Sequence, residues 1–401
     1  MDGGKLYVTP HPKSTHRITL MSGSDALFPT IGILGGGQLG RMTALAAIRM
    51  GMHVRTLSPS PSGPVAPLGE AIIGDWTNEK VMKDFLEGCD VVTVESEWAP
   101  ADVAERVSNG SVPVWPSATT LKLIRHKGIQ KDTLQSAGIP LGDYRACITL
   151  EDAVQALSAF GGKAVAKKFE GSYDGYGNAT VTSEEELKQA WKELSASDGL
   201  LMEAFVPFVR ELAVIVARSP SGQTAVYPVV ETEQKDHRCH AVIAPARIRT
   251  ETADLARDAA LAAAEAVKAV GILGVELFEL SDGTILLNEL APRPHNTGHY
   301  SIEGCHASQF ENHARSILDL PLGNPDLRVP VAVMINVLGH RAGPVQTDGF
   351  SDALSIDNAS VHLYGKLEAR PKRKMGHVTV TGDDIDTLRR RAERSADAIM
   401  L

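Results

Sequence analysis

Gly274-Val275-Glu276-Leu277-Phe278-Glu279-Leu280-Ser281-Asp282-Gly283-Thr284-Ile285-Leu286-Leu287-Asn288-Glu289-Leu290-Ala291-Pro292-Arg293-Pro294-His295-Asn296 is the stretch on which the reading of this chain turns. Up to Leu290 it reads as two strands joined by a two-residue Asp282-Gly283 turn, the strongest short-range hairpin signal. With the turn centred there, Glu276 falls directly opposite Glu289. Two like charges facing each other on one ladder repel unless something positive lies between them. A divalent cation suits that place, because Mg²⁺ favours one or two carboxylates plus the phosphate oxygens of a substrate over an all-protein cage. Glu276 and Glu289 are therefore expected as metal ligands. The alternative is a register slip by one residue that would turn glutamates to solvent.

At 401 residues the chain is long enough for two or three domains. Its 43% hydrophobic and 22% charged content is that of a folded globular protein and excludes wholesale disorder. A net charge of −9 argues against a nucleic-acid-coating role. Cys89, Cys147, Cys239 and Cys305 form no Cys-x-x-Cys pair, so neither a zinc ribbon nor a disulfide framework is expected, and a cytoplasmic location fits best. No apolar run reaches membrane-spanning length. Residues 1–29 lack the apolar core of a secretory signal and read as an N-terminal extension, with Met21 as an alternative start.

Strand and helix signals alternate. Residues 30–35 read as a buried strand, 38–51 as a helix, and 53–57 and 90–94 as further strands, which together make an open parallel α/β unit. A helical stretch from about Leu121 to Gly138, a helix near 150–160 and a strand at 163–168 open a second unit. A third follows from Leu201, through an Ala-rich helix at 253–270 and the glutamate hairpin, to a charged helix at 385–400. The expected division is residues 1–29, 30–125, 126–200 and 201–401.

Gly35-Gly36-Gly37-Gln38-Leu39-Gly40 matches the dinucleotide fingerprint in its strand-to-helix context. The fingerprint also needs an acidic residue about 20 positions on for the ribose hydroxyls, and none occurs between Arg41 and Gly69. The loop is read either as a seat for a different phosphorylated ligand on the helix N-terminus or as a structural tight turn. Lys167, at a strand end, precedes the glycine-rich Gly171-Ser172-Tyr173-Asp174-Gly175-Tyr176-Gly177-Asn178, a loop able to close over a triphosphate with backbone amides. It lacks the Gly-Lys-Ser/Thr of a Walker loop. Glu203 and Glu211, around the connector Ala204-Phe205-Val206, read either as adenine and ribose contacts or as solvated strand ends. His295, His299 and His306 lie among glycines and prolines that leave no helical His-x-x-x-His pair, which weighs against zinc.

In this order, these strings resemble the ATP-grasp superfamily and, within it, the N5-carboxyaminoimidazole ribonucleotide synthetase family of purine biosynthesis. The resemblance runs from about Thr30 to Val380. It is carried by Gly32-Ile33-Leu34-Gly35-Gly36-Gly37-Gln38-Leu39-Gly40-Arg41-Met42, the Tyr173-Asp174-Gly175 loop, the run from Asn288 to His299, and Tyr364-Gly365-Lys366 with Arg370-Pro371-Lys372-Arg373-Lys374. It is nearest to the fungal phosphoribosylaminoimidazole carboxylase, in which this unit precedes a mutase domain. The implied fold is α/β: an ATP-grasp fold of three domains with an N-terminal Rossmann-like parallel sheet.

The resemblance implies ATP and Mg²⁺ as cofactors, 5-aminoimidazole ribonucleotide and bicarbonate as substrates, and a homodimer. It puts Lys127, Lys167, Ser172, Tyr173, Asp174, Gly175, Tyr176, Gly177, Asn178, Glu203, Ala204, Phe205, Val206 and Glu211 on ATP, with Asn288 and Glu289 beside them. Gln234 stands where many relatives carry a nucleotide-contacting histidine, which leaves its role in question. Arg293 is the candidate holder of bicarbonate, since its planar fork matches that anion; His295 and Asn296 would position it or the amine, and Asp174 and Lys374 would orient groups or move protons. Lys366, Arg373 and Lys374 would take the ribose 5′-phosphate, although alone that run reads as a solvated basic loop. Gln38, Glu95 and Tyr173 would complete the aminoimidazole pocket. Rival readings are a formate-dependent purine transformylase, a biotin carboxylase, or a non-catalytic nucleotide-binding regulator; the intact glutamate pair, Arg293 and Lys167 speak against the regulator.

Overall fold

The computed structural model describes residues 28–171, 176–235, 238–346 and 348–401. The wholly buried strand Thr30–Leu34 lies at the centre of a five-stranded parallel sheet, with His53–Ser58 then Glu70–Ile73 on one side and Val91–Val94 then Val114–Trp115 on the other. The strand order reverses at the centre, so the carboxyl ends of Thr30–Leu34 and Val91–Val94 flank a crevice of the kind in which open α/β sheets bind ligands.

The helical stretch after this sheet is two helices, Ala118–Arg125 and Lys127–Ser136, rather than one. His126 breaks it: its backbone is extended, its Nδ1 accepts from Ile129 N (3.3 Å), and its ring stacks on Phe169. The break starts a new helix at Lys127 and turns that residue inward. A four-stranded antiparallel sheet follows, in the order Tyr144–Cys147, Leu200–Ala204, Ala164–Lys168, Asn178–Val181. The helices Leu150–Ala159 and Glu184–Glu193 bury Leu157 and Leu187 against it. Thr149 and Asp152 form a reciprocal capping box on the first of these helices.

The largest sheet runs antiparallel from Ile285–Ala291 through Gly271–Glu279, Arg210–Arg218, Val230–Lys235, Arg238–Ala244, Val331–Leu338 and Lys374–Gly382 to Ala359–Leu363. Helix Thr250–Ala266 sets Ala256, Ala260, Ala263 and Ala264, at helical spacing, against Leu212, Val214, Leu273 and Val275. Among the described residues no helix is long and apolar enough to cross a membrane.

Within this sheet Glu276 does face Glu289, but by a different route from the one expected. Gly283 N donates to Leu280 O and Leu280 N to Thr284 O, both at 2.9 Å, with Gly283 at φ +87°. The turn is therefore a three-residue loop closed by a left-handed glycine, and Glu279 pairs with Ile285. This moves the ladder by one residue, and a bulge at Asn288 moves it back. Without the bulge Glu276 would face Asn288 and Glu289 would point to the opposite side.

His313, on helix Gln309–Ile317, joins the first sheet to the largest one. Its Nδ1 accepts from Ile272 N (3.1 Å), which leaves Nε2–H to donate to Thr93 Oγ1 (2.8 Å). Burial lowers its pKa to about 3. The native state then binds fewer protons than the unfolded chain between about pH 3 and 6.5, so stability present above pH 6.5 is lost as pH falls. His299 and His377, also buried and held well below the usual histidine range, act in the same sense. In His313→Gln, stability measured by urea titration between pH 5 and 6 is expected to fall less steeply than in wild type, by up to about 1.4 kcal/mol per pH unit. An unchanged slope would remove His313 from the acid dependence.

Candidate active site

The three sheets meet around a cavity of about 1070 Å³. Gln38 and Glu95 reach it from the parallel sheet, and Lys167, Asn178, Glu203, Ala204, Phe205 and Val206 from the four-stranded sheet. Glu211, Gln234, Glu276, Asn288, Glu289 and Lys374 line it from the large sheet, and Arg293, His295 and Asn296 from the loop after the hairpin. Tyr176, Gly177, Lys127, Lys366 and Arg373 are not among its lining residues, and the expected sites Ser172, Tyr173, Asp174 and Gly175 lie outside the described residues.

The glutamate pair has the electrostatics of a cation site. Burial, then the neighbouring carboxylates of Glu289 and Glu211, push Glu276 up to about 7. For Glu289, Lys127 and Lys167 outweigh burial and hold its pKa down, with Lys127 Nζ 2.7 Å from Oε1. A cation between the two carboxylates would favour their charged forms and lower the pKa of Glu276. Among the described residues no group of three or more His, Cys, Asp or Glu side chains is placed to hold a metal unaided. A two-carboxylate site completed by phosphate oxygens suits Mg²⁺. Gln234 donates to Glu211, whose pKa burial raises to about 7.

Glu203 does something the sequence did not suggest. Its carboxylate pairs with Lys131 Nζ (2.7 Å) and with Lys167 Nζ, and the two lysines overcome burial to bring its pKa to about 2. The side chain is thus committed to lysines, which leaves the backbone of this strand end for any contact with a base. Lys167 also donates to Asn288 Oδ1 (3.3 Å). Lys131 went unnoticed in the sequence. Its signal was its place one helical turn after Lys127, on the same face.

Arg293 presents Nε to Glu97 Oε2 (2.7 Å) and Nη2 to Oε1 (3.4 Å). Burial opposes the charge on Glu97, but Arg293 outweighs it and holds the carboxyl down at about 2. The fork expected to take an anion thus has one edge oriented by an internal carboxylate. His295 is bracketed by Gln309, which accepts from its N–H (2.9 Å) and donates to its carbonyl (2.7 Å). Its Nδ1 is 2.9 Å from Thr297 Oγ1 and its Nε2 3.6 Å from Glu276 Oε1. A Cβ on Gly274 would lie 2.6 Å from that of His295, so the bare glycine lets the ring approach the hairpin. Asn296 and Asn336 exchange amide hydrogen bonds (2.7 and 2.9 Å), which ties the loop to strand Val331–Leu338. Gln309 and Asn336 had no role assigned from sequence; only their partners identify them.

The Gly35–Gly37–Gly40 turn also resolves. The Glu95 carboxylate accepts from Gly37 N (2.6 Å) and Gly40 N (3.1 Å), at the N-terminus of helix Gln38–Arg49. Burial still raises its pKa against these bonds. Two amides of the turn, those of Gly37 and Gly40, are thus engaged by the protein's own carboxylate, while Gln38 and Leu39 at the helix start line the cavity. Gly35, at φ +127°, and Gly37 leave room that a Cβ would take from Glu95. In the basic loop, Lys366 donates to Lys374 O (2.5 Å) and Arg373 to Glu368 O (3.0 Å).

Residues 28–125, 132–310 and 332–391 match, respectively, the family models for a ribonucleotide synthetase preATP-grasp domain, an ATP-grasp domain and a phosphoribosylaminoimidazole carboxylase C-terminal domain. An N5-carboxyaminoimidazole ribonucleotide synthase of Mycobacterium bovis is 40% identical over 92% of this chain and 87% of its own length. The chain belongs to the N5-carboxyaminoimidazole ribonucleotide synthase family. A chloroplastic phosphoribosylaminoimidazole carboxylase of Vigna aconitifolia is 39% identical over 89% of the chain, which spans 65% of that relative's length. The family's N5-carboxyaminoimidazole synthase from Aspergillus clavatus, solved with ADP and 5-aminoimidazole ribonucleotide, superposes with a TM-score of 0.83 at 34% identity, covering 92% of this chain and 98% of that one. Family membership carries the ATP-grasp fold and ATP-dependent ligase chemistry.

Proposed function

We propose that this cavity carboxylates 5-aminoimidazole ribonucleotide to N5-carboxyaminoimidazole ribonucleotide, using ATP and bicarbonate, in purine biosynthesis. The observation that carries the reading is Glu276 facing Glu289 in a cavity that Lys167, Arg293 and Lys374 also line. The two glutamates would hold Mg²⁺, with phosphate oxygens of ATP completing its ligands, and Lys167 and Lys127 would neutralise charge beside them. The metal's contribution is to neutralise phosphoryl charge in the transfer that activates bicarbonate. The backbone of residues 203–206 and Glu211 receive the nucleoside, with Gln234 holding Glu211. The glycine-rich loop from Ser172 to Asn178 is assigned to the ATP phosphates, and Asp174 to orienting groups or proton transfer. Arg293 holds bicarbonate, His295 and Asn296 set the loop around it, and Lys374 faces the reacting groups. Gln38, Glu95 and Tyr173 flank the aminoimidazole, and Lys366 and Arg373 close on its 5′-phosphate. The reading further assigns a cytoplasmic homodimer whose product passes to a mutase.

Phosphate release from ATP is expected to require Mg²⁺ and 5-aminoimidazole ribonucleotide together, and labelled bicarbonate is expected to enter the product one for one with it. Equal turnover with formate and glycinamide ribonucleotide would transfer the chain to the transformylase reading.

A further inference from the structure

The bulge at Asn288 brings Glu289 opposite Glu276, and one helix grips it. From helix Lys127–Ser136, Lys127 pairs with the Glu289 carboxylate (2.7 Å), and Gln130 Oε1 accepts from Leu290 N (3.3 Å). Lys131 Nζ donates to Asn288 O (3.0 Å) and lies 3.5 Å from Leu287 O. A bulge disrupts its ladder and leaves backbone groups that need other partners. Strand Ile285–Ala291 is also the edge of its sheet, so these partners come from side chains of the helix. Lys131 is 4% exposed, which places its ammonium among the Asn288 carbonyl, the Leu287 carbonyl and Glu203 rather than in solvent.

We infer that Lys131 is a positioning residue for the metal–nucleotide site: by holding the bulge carbonyl of Asn288 it keeps Glu289 in register with Glu276. Although it borders the cavity, its ammonium is engaged by Glu203 and the two hairpin carbonyls, so it acts through the backbone of the hairpin. The inference deepens the proposed function and rests on its metal reading.

The test is calorimetric titration of ADP, with Mg²⁺ and with EDTA, into wild type and Lys131→Met. The ratio of the two affinities isolates coupling between metal and nucleotide, whatever the variant does to nucleotide binding alone. Residues that orient metal ligands commonly change metal affinity by 10- to 100-fold, so the ratio is expected to fall at least about tenfold in Lys131→Met. Lys131→Arg, which keeps charge and donors, is expected to retain more of the ratio than Met. A general loss of packing would lower the active fraction and the melting temperature without moving the ratio. Should Lys131→Met not fold, Lys131→Gln, uncharged and shorter, carries the same expectation. A wild-type ratio in the folded uncharged variant overturns the proposal alone; a wild-type chain whose ADP affinity ignores Mg²⁺ overturns the metal reading and the proposal with it.

Discussion

Glu289→Gln is expected to lose at least about a hundredfold in kcat, about 2.7 kcal/mol of transition-state stabilisation, with its fold intact. The substitution conserves volume. It takes a charge from the pair facing across the ladder and removes the 2.7 Å partner of Lys127. Glu276→Gln is expected to act in the same direction. It should cost less in stability, because burial and its carboxylate neighbours already push the Glu276 carboxyl up to about 7. Single-turnover phosphate release over a range of Mg²⁺ concentrations checks both variants, with circular dichroism reporting the fold. Near-wild-type turnover of both at limiting Mg²⁺ would mean that the cation is held elsewhere.

The second large effect is on stability. Glu203 is the shared counter-ion of Lys131 and Lys167, and all three are buried. Removing one partner of a buried ion pair commonly costs about 3–5 kcal/mol, because the remaining charge is left uncompensated. Glu203→Gln leaves two ammonium groups in that position. For a unit of 150–250 residues, the cost corresponds to a fall of roughly 6–20 °C in melting temperature. Saturating Mg·ATP is expected to recover part of that loss, since phosphate oxygens can compensate the lysines and ligand binding stabilises the folded state. Scanning calorimetry with and without nucleotide makes the comparison. A drop below about 2 °C in the free protein would show that the triad contributes little net stability, as can happen when desolvation offsets Coulombic attraction.

Much of the molecule was legible in the chain because the signals are local. The apolar run Thr30–Leu34, the acid-poor strand after the glycine turn, and the Asp282-Gly283 punctuation each report on a few neighbouring residues. They led to the parallel sheet, the hairpin and the glutamate pair. Even so, the pair was found through two offsetting departures: a turn one residue wider than expected, and a bulge that the sequence did not announce. Which of several turns closes a hairpin depends on what the flanking strands pack against, and here the helix at Lys127–Ser136 grips the bulged strand.

What the sequence determined by itself was the chemistry on offer: two strand-mounted glutamates, a lysine before a glycine-rich loop, an arginine after the hairpin, and motifs specific enough to name a family. Tertiary structure alone decided how those charges are spent. Glu95 lies 58 residues from Gly37, yet its carboxylate takes the amides of Gly37 and Gly40 at the start of the helix. Glu97 orients Arg293 from 196 residues away, and Glu203 is occupied by two lysines rather than by solvent. Such pairings depend on distances of a few ångströms between segments remote in the chain, and a charge's partner, burial and protonation exist only once those segments are packed.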